Sequence, residues 1–118
     1  MSSRFPIAID FDGTITKTND FPNIGEIRPY AAKVIHALQD RGYFCYLWTC
    51  RAGETLEAAI NWLNANGIKM DAYNAGPSTG SPKLIAAVYI DDSAYPNNGE
   101  IDWLQVAKFF DIPKEELE

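Results

Sequence analysis

Apolar residues recur along the chain with two periods, and the switches between those periods mark out its elements. Residues 7–11, Ile-Ala-Ile-Asp-Phe, are largely apolar on both faces and predict a buried parallel strand. Pro29 suits the first turn of a helix; Ala31, Ala32, Val34, Ile35 and Leu38 give that helix one apolar face, and Gly42 stops it. Residues 43–49 are aromatic and branched, lie between Gly42 and Arg51, and predict a second strand. Residues 54–66 predict a helix with an acidic start, with Leu56, Ala59, Ile60 and Leu63 in register and Gly67 as its cap.

The second half of the chain is patterned more weakly. A short strand is expected at 70–73, a helical turn at 84–87, and a third core strand at 87–90 that ends in Asp91-Asp92. Residues 101–110 predict a last amphipathic helix, with Trp103, Leu104, Ala107 and Phe110 inward. The charged tail, 113–118, is expected to fray. His36, the only histidine, falls on the first helix as a surface or half-buried residue. Two segments have no period. Residues 16–28 form a loop long enough to suggest a role of its own. Residues 74–82 are dense in Gly, Ser and Pro, but Gly76 and Gly80 miss the spacing of a nucleotide P-loop and no Lys-Ser/Thr pair closes it.

Strands alternating with helices call for an α/β fold: a three-layer, Rossmann-like parallel sheet with helices on both faces, within one domain spanning 1–118. Right-handed crossovers bring every strand's carboxyl end to one edge, where such sheets bind ligands. Three polar clusters are expected there: Asp10-Phe11-Asp12-Gly13-Thr14, Thr49-Cys50-Arg51 and Asp91-Asp92-Ser93.

The chemistry of these clusters is specific. If the first strand persists, Asp10 and Asp12 point the same way, and two such charges repel unless a cation sits between them. Gly13 lets the backbone turn and present N–H groups to an anion. Carboxylates crowded at one edge suit Mg²⁺, which takes oxygen ligands and bridges to phosphate. Thr49 offers a hydroxyl, and Cys50 its backbone N–H, to a phosphoryl oxygen, while Lys83 can reach back as a point charge. A carboxylate is a competent nucleophile toward phosphorus, and a second one can act as general acid and base. For Arg51, a salt bridge and a phosphate contact are equally open.

Composition narrows the classes. The 118 residues, 47% hydrophobic and 22% charged, describe an ordinary soluble globular protein. A chain of this size buries about 65% of the surface its unfolded form exposes, enough for a core without staples. The net charge of −6 and the lack of a basic run oppose nucleic-acid binding. Cys45 and Cys50 make no disulfide framework and read as free thiols of a reducing cytoplasm. The first six residues carry no long apolar segment, so no signal peptide or membrane span is expected. The oligomeric state is left open.

Asp10-Phe11-Asp12-Gly13-Thr14 resembles the first motif of the haloacid dehalogenase-like (HAD) phosphohydrolase superfamily. Thr49 is similar to its second motif, Lys83 to its third, and Asp91-Asp92 to its fourth, covering residues 7 to about 93 in the family's order. The resemblance implies a phosphatase with Asp10 as nucleophile, Asp12 as general acid/base, and Thr49 and Lys83 as phosphate binders. It also implies Mg²⁺ held by Asp10, the backbone carbonyl of Asp12, and Asp92 directly, with Asp91 supporting through water. Members usually carry a cap domain; here neither long connection has room for one, so the chain looks like the small capless type. The short spacing from Lys83 to Asp91 is also similar to the deoxyribonucleotidase branch.

Without a cap, residues 21–25, with Phe21 and Asn23, become the local lid, and the expected partner is a small phosphomonoester such as a nucleotide whose base stacks on Phe21. Phosphorylated polymer ends are the second substrate class. Two other classes compete. A receiver domain would place its acidic pair after the first strand and its acceptor aspartate on a later one, whereas here the pair comes in the fourth cluster. A catalytically silent phosphate-binding or scaffold protein would keep the groups without turnover.

Overall fold

The structure is a computed structural model, described over residues 6–18, 21–49, 51–73, 88–90 and 102–118. Its elements run β1 (Pro6–Ile9), α1 (Ala31–Asp40), β2 (Phe44–Leu47), α2 (Gly53–Ala65), β3 (Ala72–Tyr73), β4 (Val88–Ile90), α3 (Trp103–Phe109) and α4 (Lys114–Leu117). The four strands form one parallel sheet in the order β3-β2-β1-β4. β1 is therefore an interior strand: Ile9 lies beside Leu47 on one side and Ile90 on the other. The carboxyl ends of β1, β2 and β4 consequently share one edge, as the crossover rule requires.

Strand alternation sorts the core. Ile7, Ile9, Cys45 and Leu47 face one side, where they join Val34, Ile35 and Leu38 of α1, Ala59 and Leu63 of α2, and Trp103 and Val106 of α3. Ala8 and Tyr46 face the other way and pack with Phe44, Trp48 and Ala72. The described helices thus bring their buried residues to one cluster. The helical turn expected at 84–87 lies outside the described residues, and so does the loop at 74–82.

Helix ends explain why the boundaries fall where they do. α1 and α2 each finish in a six-residue Schellman turn: Tyr43 N–H donates to Leu38 O at 3.1 Å, and Ile68 N–H to Leu63 O at 2.9 Å. Gly42 and Gly67 hold the left-handed position of each turn, at φ 89° and 78°. α3 ends the same way, with Ile112 N–H donating to Ala107 O at 2.9 Å, but its left-handed residue is Asp111 at φ 59°.

Three expectations need correction. Strand β1 stops at Ile9 rather than Phe11, so Asp10 and Asp12 are not placed by strand alternation. In α3 the inward residues are Trp103, Val106 and Ala107, while Leu104 and Phe110 are only half-buried. The tail does not fray. α4 buries Leu117 against the core, and Arg41 at the end of α1 makes a two-pronged ion pair with Glu116 at 2.6 and 2.8 Å.

Cys45 is fully buried, and the loss of hydration, reinforced by the charge of Asp71, pushes its thiol up to about 12. The same Asp71 accepts the Cys45 backbone N–H at 2.8 Å, which fixes the approach to β3. The hydrogen bond from Arg41, and then its charge, holds the Glu116 carboxyl below the ordinary carboxylate value. A group whose folded value is depressed contributes fully above its unfolded value and loses that contribution as pH falls through the folded one. Glu116→Gln is therefore expected to lower the melting temperature at neutral pH. The gap to wild type should close in acid below the depressed value, as thermal melts across pH will measure.

Candidate active site

The chain leaves β1 at Ile9 and turns at once. The amides of Thr14, Ile15 and Thr16 all point to the carbonyl of Phe11, at 3.2, 3.0 and 3.3 Å. Gly13 holds the positive φ of 81° that this turn needs. Asp10 stands at the sheet edge, half-buried, with Oδ1 accepting the Phe11 N–H at 2.8 Å. Gly13 does not offer its N–H to a ligand in this structure: it donates to Thr16 Oγ1 at 3.0 Å. The concavity expected there from glycine is filled by the chain's own hydroxyl. Thr14 is fully buried; its carbonyl accepts the indole N–H of Trp103 at 3.0 Å, while its hydroxyl finds no hydrogen-bond partner among the described residues. α3 is thereby pinned to the turn that carries the acidic pair.

The segment 16–28 is not an open loop. Thr16 and Ile27 form an antiparallel bridge, Lys17 N–H donates to Glu26 O at 2.7 Å, and Arg28 N–H to Ile15 O at 2.8 Å. The Arg28 guanidinium adds bonds to the carbonyls of Gly13 at 2.8 Å and Thr16 at 3.1 Å. These contacts staple the base of the hairpin beside the site. At its far part, residues 21–23 are exposed.

Arg51 joins these pieces. Its guanidinium meets Asp12 side-on, Nε to Oδ2 at 2.8 Å and Nη2 to Oδ1 at 2.7 Å, with Arg51 1% and Asp12 8% exposed. The remaining N–H groups donate to the carbonyls of Pro22 at 3.2 Å, Asn23 at 2.9 Å and Thr55 at 3.3 Å. All five donors of a guanidinium are therefore committed. Its central carbon also lies 5.2 Å from the Phe11 ring centroid and 5.1 Å from that of Phe21. Of the two roles the sequence leaves open for Arg51, the structure builds the salt bridge.

Asp10 directly follows β1, and Trp48 directly follows β2; Trp48 N–H donates to Ile9 O at 2.9 Å, which brings the two strand ends side by side, with Thr49 one residue further on. Thr49 Oγ1 accepts the Arg51 N–H at 3.2 Å and so shapes the entry to α2. β4 ends at Ile90, paired with Ile9. Asp91 and Asp92, which follow it in sequence, lie outside the described residues, as do Lys83 and Cys50. His36 is on the surface, its ring nitrogen bonded to Gly67 O, remote in the fold from the edge.

Among the described residues, no group of three or more His, Cys, Asp or Glu side chains comes together to hold a metal. The donor set expected for Mg²⁺ draws only Asp10 and the Asp12 carbonyl from them. Both are hard oxygen donors of the kind Mg²⁺ takes, and the Arg51 bonds to Asp12 go to its carboxylate and not to its carbonyl. No described helix is long and apolar enough to cross a membrane.

No protein-family model and no curated protein matches the chain. Among solved structures, it is similar to a conserved protein coded by a locus of Bacteroides thetaiotaomicron, at 37% identity and a TM-score of 0.78. The match covers 92% of this chain and 91% of the other. The chain belongs to the same family as that protein. Kinship over nearly the full length of both chains makes the edge described here a feature to seek in the relative as well.

Arg51 is the residue whose weight sequence reasoning missed. An arginine two residues after a strand-end threonine carries no signal of its own; the pairing appears only when β1 and β2 lie side by side. Removing one partner of a buried ion pair typically costs about 3–5 kcal/mol, because the other charge stays buried. Arg51→Met is expected to destabilise the fold by about that much. Urea denaturation will measure it, and a loss below about 1 kcal/mol would place the pair among solvent-screened bridges.

Proposed function

We propose that this protein is a Mg²⁺-dependent phosphomonoester hydrolase working through an aspartyl-phosphate on Asp10, built on a capless, three-layer Rossmann-like HAD-type core. The observation that supports the proposal is the register of Ile9 with Leu47 and Ile90, which makes Asp10 the first residue beyond an interior strand and leaves Thr49 two residues beyond the neighbouring one, at the same edge. Ligands of open parallel sheets bind at such an edge.

The chemistry divides into two displacements. In the first, an Asp10 carboxylate oxygen attacks phosphorus, the bond to the ester oxygen breaks, and Asp12 gives that oxygen a proton. In the second, water attacks the phosphorus of the acyl phosphate, Asp12 takes the water's proton, and the bond to Asp10 breaks to free inorganic phosphate. Thr49 and Lys83 hold the phosphoryl oxygens, with the Cys50 N–H beside them. Bound through Asp10, the Asp12 carbonyl and Asp92, with Asp91 outside, Mg²⁺ would supply the positive charge that lets two anions approach. Arg51 takes one lone pair on each Asp12 oxygen; of the carboxyl's four lone-pair positions about two remain, one to carry the proton that goes to the ester oxygen and is regained from water.

The side-on pair also favours a second reading, a protein that binds phosphate without turning it over, since both Asp12 oxygens are already engaged. Release of phosphate from p-nitrophenyl phosphate with Mg²⁺ separates the two. Asp10→Asn is expected to abolish turnover, while Asp12→Asn should slow it by about 10²–10⁴-fold, the usual worth of a general acid/base. Undiminished activity in Asp10→Asn would end the covalent scheme.

The preferred substrate is a small phosphomonoester, with a nucleotide first, because Phe21 is 54% exposed beside the edge and a base can stack on it. Phe21→Ala is expected to raise KM for the preferred nucleotide while hardly changing that for p-nitrophenyl phosphate. Steady-state kinetics on both will decide, and strong turnover of phosphorylated polymer ends alone would replace the nucleotide.

A further inference from the structure

We infer that Arg51 is a positioning residue that makes the Asp12 carboxylate and the Phe21–Asn23 segment of the hairpin a single unit, so that neither can shift without the other. The chemistry attributed to Asp12 rests on the proposed phosphatase activity; the mechanical coupling does not.

The coupling follows from where one cation spends its donors. Two go to Asp12, at 2.8 and 2.7 Å, and two to the carbonyls of Pro22 and Asn23, at 3.2 and 2.9 Å. Phe21 lies against the same guanidinium at 5.1 Å. Residues 21–23 are exposed, so water could satisfy their carbonyls at little cost. A buried cation serves them instead, and such charge-assisted bonds are about twice as strong as neutral ones. The fifth donor, to Thr55 O at 3.3 Å, fastens the assembly to the first turn of α2. The guanidinium plane is rigid, so swinging the hairpin away must either break its two carbonyl bonds or rotate the fork that holds Asp12. Lysine cannot substitute: one ammonium has three donors and no plane.

A lid so attached would report its position to the proton-transferring group. When the segment lies down, Asp12 is held side-on with its outer lone pairs presented to the edge. When it lifts, the carboxylate loses its orientation.

Two measurements test this, one of them independent of turnover. Backbone ¹⁵N relaxation should show the amides of Asn23, Ile24 and Gly25 falling from rigid order parameters to below about 0.6 in Asp12→Asn and in Arg51→Lys. The amides of α1 should stay rigid in both variants, which shows that each is folded. Unchanged order at Asn23–Gly25 in both variants overturns the coupling.

The second measurement compares leaving groups. The alkoxide of an alkyl phosphate needs a proton as it departs, whereas the p-nitrophenolate of the aryl ester departs without one. Arg51→Lys should therefore lower kcat/KM, which reports the step in which the leaving group departs and not the later hydrolysis, by about 10²-fold for an alkyl ester, the scale of general acid catalysis, and change it far less for the aryl ester. Equal losses in kcat/KM on both esters would reduce Arg51 to a stabilising residue and overturn its positioning role. Wild-type protein that hydrolyses neither ester would remove the phosphatase proposal alone, and the relaxation data would still decide the coupling.

Discussion

One ion pair gathers the parts of this protein that matter. Asp12 leaves the turn after β1 and Arg51 comes from the start of α2, 39 residues later, yet they meet in a buried, two-pronged contact. Burying two charges is expensive, and such a pair seldom adds to net stability when compared with apolar residues of the same size. What it does provide is direction. A guanidinium offers five hydrogen-bond positions in one plane, and here each has a different acceptor in a fixed place. The end of β1, the end of β2, the hairpin and α2 are held in register by one side chain. If the register of β1 against β2 slipped by one residue, Asp12 would be left charged and unpaired.

The sheet explains how that accuracy is reached. β1 has a neighbour on each side, so the residue at its end inherits the geometry of three strands. Asp10 lies one residue past the paired part of β1 and Thr49 two past that of β2, so the ladder sets where each segment begins, and Asp12 is held by its cation. Backbone bonds set coarse position, and the ion pair sets orientation. Trp103 adds a third restraint from the far end of the chain, since its indole N–H holds the Thr14 carbonyl in the same turn.

Much of this was legible in the sequence. The elements came from apolar periodicity, and Gly42 and Gly67 marked two helix ends because only glycine takes a positive φ without strain. Asp111 performs the same task at the end of α3, yet an aspartate there looks like any charged surface residue. The tail misled for a related reason. Its composition is that of a solvated end, and the one residue that anchors it, Leu117, is a single apolar position with no period around it. At the sheet edge, the apolar pattern put Asp10 and Thr49 at strand ends, and the structure has them just beyond those ends. The Arg51 contact could not be read, because it depends on two strands lying side by side. The same holds for Gly13, whose amide serves Thr16 rather than a ligand; sequence gives the freedom of a glycine but not what it faces.

The hairpin bears on how such a protein could change over generations. Its base is closed by the Thr16–Ile27 bridge and by the Arg28 bonds to Gly13 and Thr16, all of them upstream of or beyond the segment that Arg51 grips. Extra residues entering the hairpin outside these two clamps would leave both in place. Lengthening a loop whose ends are already joined costs only about 0.6 kcal/mol for each doubling. A small enclosing module could therefore grow from this point by gradual insertion, roofing the strand edge while the sheet beneath it stays as it is.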